Sequence, residues 1–312
     1  MAEWLYEAGI GENRAALVAR GTIRKARIEL PGLRADTVAP AKLIDRSTGK
    51  VMLPDGEEAL CDPLPKGVTQ GASFPARIVR EPVAERGRMK LAKAVPAPDL
   101  PLAPGPDLLA RIVASGVPVR HCHPHESDAF EEAGWSEVLE EARTGDIAFA
   151  TGALRLALTP AMALFDVDGG PPLGALSIDA AHAVAAAMER LDITGSVGID
   201  FPTLANKAER NAVAEAIDAA LPQPFERTAM NGFGFLQIVR RKTRMSLPEL
   251  LAADPVGAML RAELRRLERL SPPAPDTHML PPALLRRLER APDWIAQLHR
   301  RTGGHTRFME QG

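Results

Sequence analysis

Between residues 152 and 239 the chain alternates short apolar strands with amphipathic helices. Two apolar strands, ALRLAL and AMALFDV, are separated by Thr159-Pro160, and the strands SVGIDF and FGFLQIV each follow a helical pattern. The first helix is predicted from about Ser177, as its N-cap, to Arg190, and the second from about Asn206 to Leu221. This order is the α/β signature, in which right-handed crossovers place successive strands side by side.

Three aspartates stand where these strands end. Asp166 and Asp168 close the strand in LFDVDGG and share one face because they are two residues apart, and Asp200 closes SVGIDF. Asp200 follows Asp166 by 34 residues, about one strand–helix–strand unit, so their carboxylates are expected at the same edge of the sheet. The alternative is that these residues serve as helix caps or turn residues.

Clustered carboxylates repel one another unless they share a proton or a cation. No cysteine or histidine accompanies the three aspartates, so the donors are hard oxygens. Such donors favour Mg²⁺, with Mn²⁺ as the alternative, over zinc. The chemistry that such a site serves best is phosphoryl transfer or phosphodiester hydrolysis.

Charge is segregated along the chain, although the net charge is only −2. Residues 1–97 carry 16 Lys and Arg against 12 Asp and Glu, residues 98–239 carry 8 against 20, and residues 240–312 carry 14 against 8. Basic ends around an acidic middle favour a polyanion held at the ends and a cation bound between them, with ordinary solvated charge as the alternative.

Composition and the order of charges exclude several classes of protein. Hydrophobic residues at 46% and charged residues at 25% are typical of globular chains and exclude wholesale disorder. No apolar run reaches the roughly 18 to 20 residues of a membrane span, and three acids precede the first basic residue, so no signal peptide is expected. Two cysteines, Cys61 and Cys122, cannot form a disulfide framework, which favours the reducing cytoplasm.

Two proline-rich stretches, Val95 to Asp107 and Ser271 to Pro282, divide the chain. We expect a β-rich head at 1–97, a connecting region at 98–151, an α/β metal-dependent catalytic domain at 152–247 and a basic helical tail at 248–312. In the tail, LRRLERL (264–270) and LRRLERA (285–291) predict amphipathic helices. In one interpretation, the leucines of these helices pack on the body of the protein and the arginines are solvated. In the other, the arginines extend an RNA-binding surface or form a dimer contact.

The head is predicted to contain a small barrel of the OB type. The segments RAALVARG, RKARIEL, KVMLPDGEEALCD and ASFPARIVREPV read as short strands with turns between them. The densest basic patch is Arg86, Arg88 and Lys90, which would bind RNA electrostatically and salt-sensitively. Only one aromatic residue, Phe74, lies between residues 35 and 95, and it is expected in the barrel core.

A second group of candidate ligands clusters in Arg120-His-Cys-His-Pro-His125. His121, Cys122, His123 and His125 could bind zinc or copper, but adjacent residues on one strand do not easily face one ion. No second ligand pair stands at zinc-finger spacing, so a surface turn is the preferred interpretation, and contact of a histidine with phosphate stays open.

The motifs LTPAMALFDVDGG, GSVGIDF and NGFGFLQIVRRKTRMSL, in this order, resemble the catalytic segment of the ribonuclease E/G family. That family's pattern has an Ile-Asp-Val-Asn-Ser-Gly loop, an Ile-Asp-Phe strand end, and a Phe-Gly-Leu strand followed by an Arg-rich turn and Ser-Leu. The match covers about 152–247, roughly a third of the chain. The resemblance implies an α+β multidomain fold in which an OB-type barrel region precedes a DNase I-like catalytic domain and a helical tail.

By position, Asp166 and Asp200 fall on the family's two metal-ligating aspartates, and Asp168 falls on the asparagine that supports the first. The resemblance implies a cytoplasmic endoribonuclease in which bound Mg²⁺ activates water to cleave single-stranded RNA, leaving 5′-phosphate and 3′-hydroxyl ends. It also implies basic residues that face the RNA backbone, namely Arg240, Arg241, Lys242 and Arg244.

The chain departs from the family pattern at several places. Asp168 replaces asparagine, and Gly169-Gly170 replaces Ser-Gly. The zinc-binding Cys-x-x-Cys is absent, so no structural zinc and no zinc-linked tetramer are expected, whereas a homodimer stays open. The region 98–151 is too short for the family's 5′-end sensor. Two alternatives follow, namely an RNA-binding relative without activity and a metal-dependent phosphatase or nuclease that acts on DNA.

Overall fold

The chain begins with a small antiparallel sheet. The computed structural model describes residues 1–85, 88–271 and 275–311. The first strands are β1 (Ala2–Ala8), β2 (Asn13–Ala19) and β3 (Thr22–Glu29), which pair in sequence order. The strands predicted from RAALVARG and RKARIEL are β2 and β3, so that prediction is confirmed.

A closed five-stranded barrel follows. The strands of this region are β4 (Val38–Asp45), β5 (Lys50–Met52), β6 (Glu58–Cys61), β7 (Ser73–Arg80), β8 (Val83–Glu85), β9 (Arg88–Lys90) and β10 (Ala92–Pro96). The barrel closes in the order β4-β5-β6-β10-β7, around the buried side chains of Leu43, Val51 and Ile78. The predicted Pro-Asp-Gly turn joins β5 to β6, where Gly56 adopts a φ of +86° that glycine takes without steric cost.

The region between the barrel and the next sheet contributes to both of its neighbours. Its elements are α1 (Leu108–Val113), β11 (Val119–His121), α2 (Ala129–Glu132) and α3 (Trp135–Thr144). Strand β11 pairs in parallel with β1, which extends the first sheet to the order β11-β1-β2-β3. The barrel is therefore inserted into this first unit, between β3 and α1. Residues 98–151 are thus more than a connection.

A six-stranded sheet holds the predicted aspartates. Its region contains β12 (Asp146–Phe149), β13 (Gly152–Leu158), β14 (Ala163–Gly169), α4 (Leu173–Arg190), β15 (Gly195–Asp200), α5 (Lys207–Ala220), β16 (Glu226–Arg227) and β17 (Phe235–Arg240). The strand order is β12-β13-β14-β15-β17-β16. As predicted, β14 and β15 are parallel neighbours joined through α4, but β17 runs antiparallel to β15. Phe165, Val197 and Ile199 pack with both helices in the main core, so the alternate residues face outward.

Of the two helix N-caps predicted in this region, one is confirmed and one is wrong. Asn206 caps α5 as predicted, and its side-chain oxygen accepts a hydrogen bond from the Glu209 amide at 3.0 Å. The N-cap prediction for Ser177 is wrong, because α4 begins one turn earlier, directly after Pro172. Ser177 is fully buried inside the helix, since Leu176 beside it packs into the main core.

The tail folds as a helical unit against the head. Its elements are α6 (Leu247–Ala253), α7 (Pro255–Glu268), β18 (Thr277–Leu280), α8 (Pro282–Glu289), α9 (Pro292–Thr302) and β19 (Arg307–Glu310). The two predicted amphipathic segments lie in α7 and α8. Leu264 and Leu288 are buried in one cluster with Ile10 of the head, so the leucines dock as predicted.

The arginines of α7 are not all solvated. Arg265 and Arg269 both bind the buried carboxylate of Glu7, and Arg265 also donates to Asp128 at 2.6 Å. The solvated interpretation is therefore wrong for these two arginines, because acidic residues of the head lie opposite them. It holds for Arg266, whose side chain is 55% exposed.

The chain is an α+β protein in which a β-rich head with a closed barrel precedes a mixed sheet and a helical tail. This part of the fold prediction is confirmed. Among the described residues, no helix combines the length and the apolar character that a membrane crossing requires.

Candidate active site

A row of five residues crosses the outward face of the six-stranded sheet. Strand pairing aligns, in order, Asp146, Arg155, Asp166, Asp200 and Phe235 on β12, β13, β14, β15 and β17. Aligned residues on neighbouring strands point to the same face, with their Cα atoms about 5 Å apart. The row therefore sets three carboxylates, one guanidinium group and one aromatic ring side by side.

Alternation along the strands puts the aspartates on this face. Phe165 and Val167 point into the core, so Asp166 and Asp168 point outward, as predicted from their spacing. As predicted, the strand ends at LFDVDGG: β14 finishes at Gly169, directly after Asp168, and Asp166 lies three residues before that end. Asp200 is the last residue of β15 and is aligned with Asp166, so the two carboxylates lie together at the carboxyl end of β15, on the outward face of the sheet.

Asp166 and Asp200 are directly opposite each other on parallel strands. Like charges in this position destabilise a sheet unless a proton or a cation neutralises them. Both side chains are exposed, so solvent and a substrate can reach them. Proteins commonly bind Mg²⁺ through one or two carboxylates while the ion keeps several waters, and two carboxylates on one open face supply such donors. Mn²⁺ accepts the same donors. The residues fit a divalent cation of this class.

Asp168 forms an ion pair with Arg155, a residue that the sequence patterns did not single out. Its Oδ2 atom accepts a hydrogen bond from Nε of Arg155 at 2.7 Å, and both side chains remain at least half exposed. Among the described residues, no group of three or more carboxylate, histidine or cysteine side chains is arranged to hold a metal ion. The arrangement is a carboxylate pair with an arginine–aspartate pair beside it.

The predicted basic turn lies at the far end of β17 from the aspartates. Phe235, at the start of β17, pairs with Asp200, whereas Arg240 at its end pairs with Gly195. Arg240 follows Phe235 by five positions in the strand, which corresponds to about 17 Å. A strand of RNA would have to run along β17 to contact both.

Three cations of that turn already have carboxylate partners. Arg240 binds Glu189 at 2.6 Å, Lys242 binds Glu249, and Arg244 binds Asp192 at 2.8 Å. Burial raises the pKa of Asp192, but Arg27 and Arg244 outweigh it and hold that pKa below its ordinary value. Arg241 is exposed and makes no ion pair with the described residues. It is the member of the turn that a phosphate could bind without displacing a carboxylate.

The basic patch of the head lies on the β8–β9 hairpin. Arg88 and Lys90 are partly exposed and both bind Glu85, at 2.8 Å and 2.7 Å. Arg86, the third predicted member, lies outside the described residues. A cavity of about 700 Å³ separates this hairpin from the six-stranded sheet, and Lys242 of the basic turn lines its other side. The two predicted basic groups therefore border one cavity.

Sequence reasoning missed Asp146, Arg155 and Phe233. The first two join the site only through the pairing of β12 with β13 and of β13 with β14, which single-strand patterns do not reveal. Phe233 precedes β17 in the segment Asn231-Gly-Phe-Gly and is 84% exposed. Its Asn-Gly sequence is a turn signal that could have indicated a projecting side chain.

The histidine cluster spans the end of β11, where His121 is the last residue, and the turn that follows it. The rings of His123 and His125 stack at 5.6 Å, and the ring of His121 packs edge-on against Tyr6. The Cys122 thiol is buried, and burial raises its pKa, so the thiolate form of a metal ligand is disfavoured. The surface-turn interpretation agrees with the exposed positions of His123 and His125, whereas His121 belongs to β11 and Cys122 is buried.

Comparison with known proteins gives no family assignment. No family model matches the chain, and no curated protein matches it in sequence. The function is therefore inferred from the short motifs and from the geometry of the carboxylate pair.

Proposed function

We propose that the chain is a divergent ribonuclease E/G-type endoribonuclease that cleaves single-stranded RNA with a divalent cation, Mg²⁺ or Mn²⁺. The observation that carries this proposal is the in-register pair of Asp166 and Asp200 on an exposed sheet face. These are the positions at which the resembling motifs have their metal-ligating aspartates. The unfavourable juxtaposition of two carboxylates is readily explained by a cation that they share.

The head supports a nucleic-acid substrate. Counted from β4, the barrel strands close in the order 1-2-3-5-4, with the third and fifth parallel. The five-stranded Greek-key barrel of the OB type binds oligonucleotides, and we assign the barrel to that type. The six-stranded sheet with α4 and α5 on one face is our candidate for the DNase I-like part.

The chain's own residues have separate tasks in the proposed reaction. Asp166 and Asp200 would hold the cation, and a bound cation would supply the positive charge that phosphodiester hydrolysis by water needs. Arg155 neutralises Asp168, so the carboxylate pair does not face a third free negative charge. Arg241 and the hairpin cations lie towards the end of β17 that is far from the carboxylate pair, so they offer contacts to phosphates on one side of the cleaved bond. Hydrolysis is expected to leave a 5′-phosphate and a 3′-hydroxyl.

The test is cleavage of a labelled, unstructured RNA and of a DNA with the same sequence. We expect the full chain to cut the RNA in Mg²⁺ and not in a chelator, with a 5′-phosphate on the downstream product. Equal cutting of the DNA would contradict the assignment to RNA and favour a general metal-dependent nuclease. RNA that is bound but not cut would favour the second candidate.

The second candidate is an RNA-binding relative that has lost its chemistry. It is favoured by the ion pair of Asp168 with Arg155, because the family has a neutral asparagine at the first of these positions. In that case, the ion pair would have arisen after the metal site lost its function.

Opposite effects are expected from the two halves of that ion pair. Arg155→Ala frees the Asp168 carboxylate beside the aspartate pair, so the Mg²⁺ concentration for half-maximal cleavage should fall about threefold, as for a modest cross-strand interaction. Asp168→Asn frees Arg155 to approach Asp166, its aligned neighbour, and should raise that concentration by a similar factor. Titration of cleavage rate with Mg²⁺ measures both.

The double variant Arg155→Ala with Asp168→Asn is the control for this pair. It restores a neutral site and should lie close to the parent, since both charges are removed together. A double variant that needs about threefold more or threefold less Mg²⁺ than the parent would contradict this account of the ion pair. Thermal unfolding should change little in all three, because exposed ion pairs contribute little to stability.

A further inference from the structure

Phe233 has no structural role that its surroundings explain. Phe233 is 84% exposed. Every other Phe, Tyr and Trp side chain among the described residues is buried or half-buried. A single exposed apolar residue is common on proteins. Its place in the fold, rather than its exposure alone, therefore decides what it does.

The backbone around Phe233 is firmly held. The side-chain oxygen of Asn231 accepts hydrogen bonds from the amides of Phe233 and Phe235, at 2.9 Å and 3.0 Å. The Gly234 carbonyl accepts one from the Phe201 amide at 3.2 Å, directly after Asp200. Gly234 has a φ of +97°, and the backbone of Phe201 occupies the space of any Cβ atom there. The turn thus projects the ring from a fixed base.

That base lies beside the carboxylate pair. Phe235 is aligned with Asp200, with Cα atoms about 5 Å apart. Phe233 is two residues earlier in the chain, so its Cα atom is at most about 7 Å from that of Phe235. The Cα atom of Phe233 is therefore within about 12 Å of that of Asp200. The two sites are close enough for neighbouring nucleotides of one strand.

We infer that Phe233 is a stacking platform for an unpaired base of the RNA strand whose phosphate lies at Asp166 and Asp200. This inference rests on the proposed function. An aromatic ring binds any base through its π-face, so the contact tolerates different sequences. It requires a base that is not stacked within a duplex, and it therefore selects single-stranded substrate. The barrel, with Phe74 only half-buried on β7, offers no comparable exposed ring among its described residues.

The test measures RNA binding in the Asp166→Asn background, so that the oligonucleotide is not cut. Phe233→Ala should weaken binding of a labelled single strand about tenfold, within the range of base–aromatic stacking, and Phe233→Trp should restore it. Met259→Ala is the matched control, since Met259 is 59% exposed on α7, and it should change nothing. A 2-aminopurine base placed beside the bound phosphate reports stacking through its quenched fluorescence.

Each outcome has a separate meaning. Equal binding by Phe233→Ala, with unquenched 2-aminopurine, would overturn the platform and leave the nuclease proposal standing. A loss that is equal for single-stranded and duplex RNA would also overturn it, because stacking on an unpaired base would then not be the cause. Absence of both RNA binding and RNA cleavage by the parent chain would remove the proposed function, and the platform with it.

Discussion

RNA cleavage is expected to fall at least a hundredfold when Asp166 or Asp200 is replaced by asparagine. Asparagine preserves the shape of the side chain but removes the charge that holds the cation, and loss of one such electrostatic group commonly costs about 10² to 10³ in rate. The measurement is the single-turnover rate of cleavage of a labelled single-stranded RNA in saturating Mg²⁺. Asp99→Asn, on an exposed turn of the proline-rich stretch, is the matched control and should cleave at the parental rate.

The same variants have an effect on stability with the opposite sign. Without a divalent cation the aligned carboxylates repel each other, so Asp200→Asn should raise the midpoint of thermal unfolding in a chelator. Addition of Mg²⁺ should stabilise the parent and leave the variant nearly unchanged, because ligand binding to the folded state alone raises stability. A parent that Mg²⁺ does not stabilise would contradict the shared-cation interpretation even if cleavage were observed.

The largest expected loss of stability follows replacement of Glu7 by glutamine. Glu7 is 3% exposed and forms ion pairs with Arg14, Arg265 and Arg269. Removal of its charge leaves buried guanidinium groups with too few counter-charges, and breaking a buried pair in this way costs about 3 to 5 kcal/mol. Denaturant unfolding measures the loss. Glu140→Gln, which breaks an exposed pair with Arg143 on α3, is the control and should have no measurable effect.

The stability from Glu7 should depend on pH in a defined direction. Burial raises the pKa of Glu7, but Arg14 and Arg265 outweigh burial and hold it below its ordinary value of about 4.5. The contribution is therefore present above that value and is lost as the pH falls through the folded-state pKa. The stability difference between the parent and Glu7→Gln should shrink below about pH 4.5. A difference that is constant down to pH 2 would contradict this account.

Local patterns predicted the carboxylate pair but not its neighbours. Asp166 and Asp200 follow from alternation within a strand and from the length of one strand–helix–strand unit, which are properties of contiguous sequence. The position of Arg155 depends on the register of β13 with β14, which the turn between them sets. A shift of one residue would have sent Arg155 to the helical face, and nothing in the sequence of β13 excludes that shift.

Distant contacts explain the other differences. Ser177 resembles an N-cap, but packing of Leu176 in the core favours an earlier start of α4 over local capping. Arg265 looks like a solvated residue of a basic helix until Glu7, 258 residues away in sequence, is placed opposite it. Propensity and periodicity carry no information about such partners, so the amphipathic helix was predicted and the burial of its arginines was not.

The insertion of the barrel into the first sheet has a consequence for the order in which the chain can fold. All five strands of the barrel lie between residues 38 and 96, so it can close as soon as that stretch has left the ribosome. Strand β1, although it precedes the barrel in the chain, must wait for β11 and then for the arginines of α7 to complete its contacts. Residues that are synthesised before the barrel thus reach their final surroundings only after it can close.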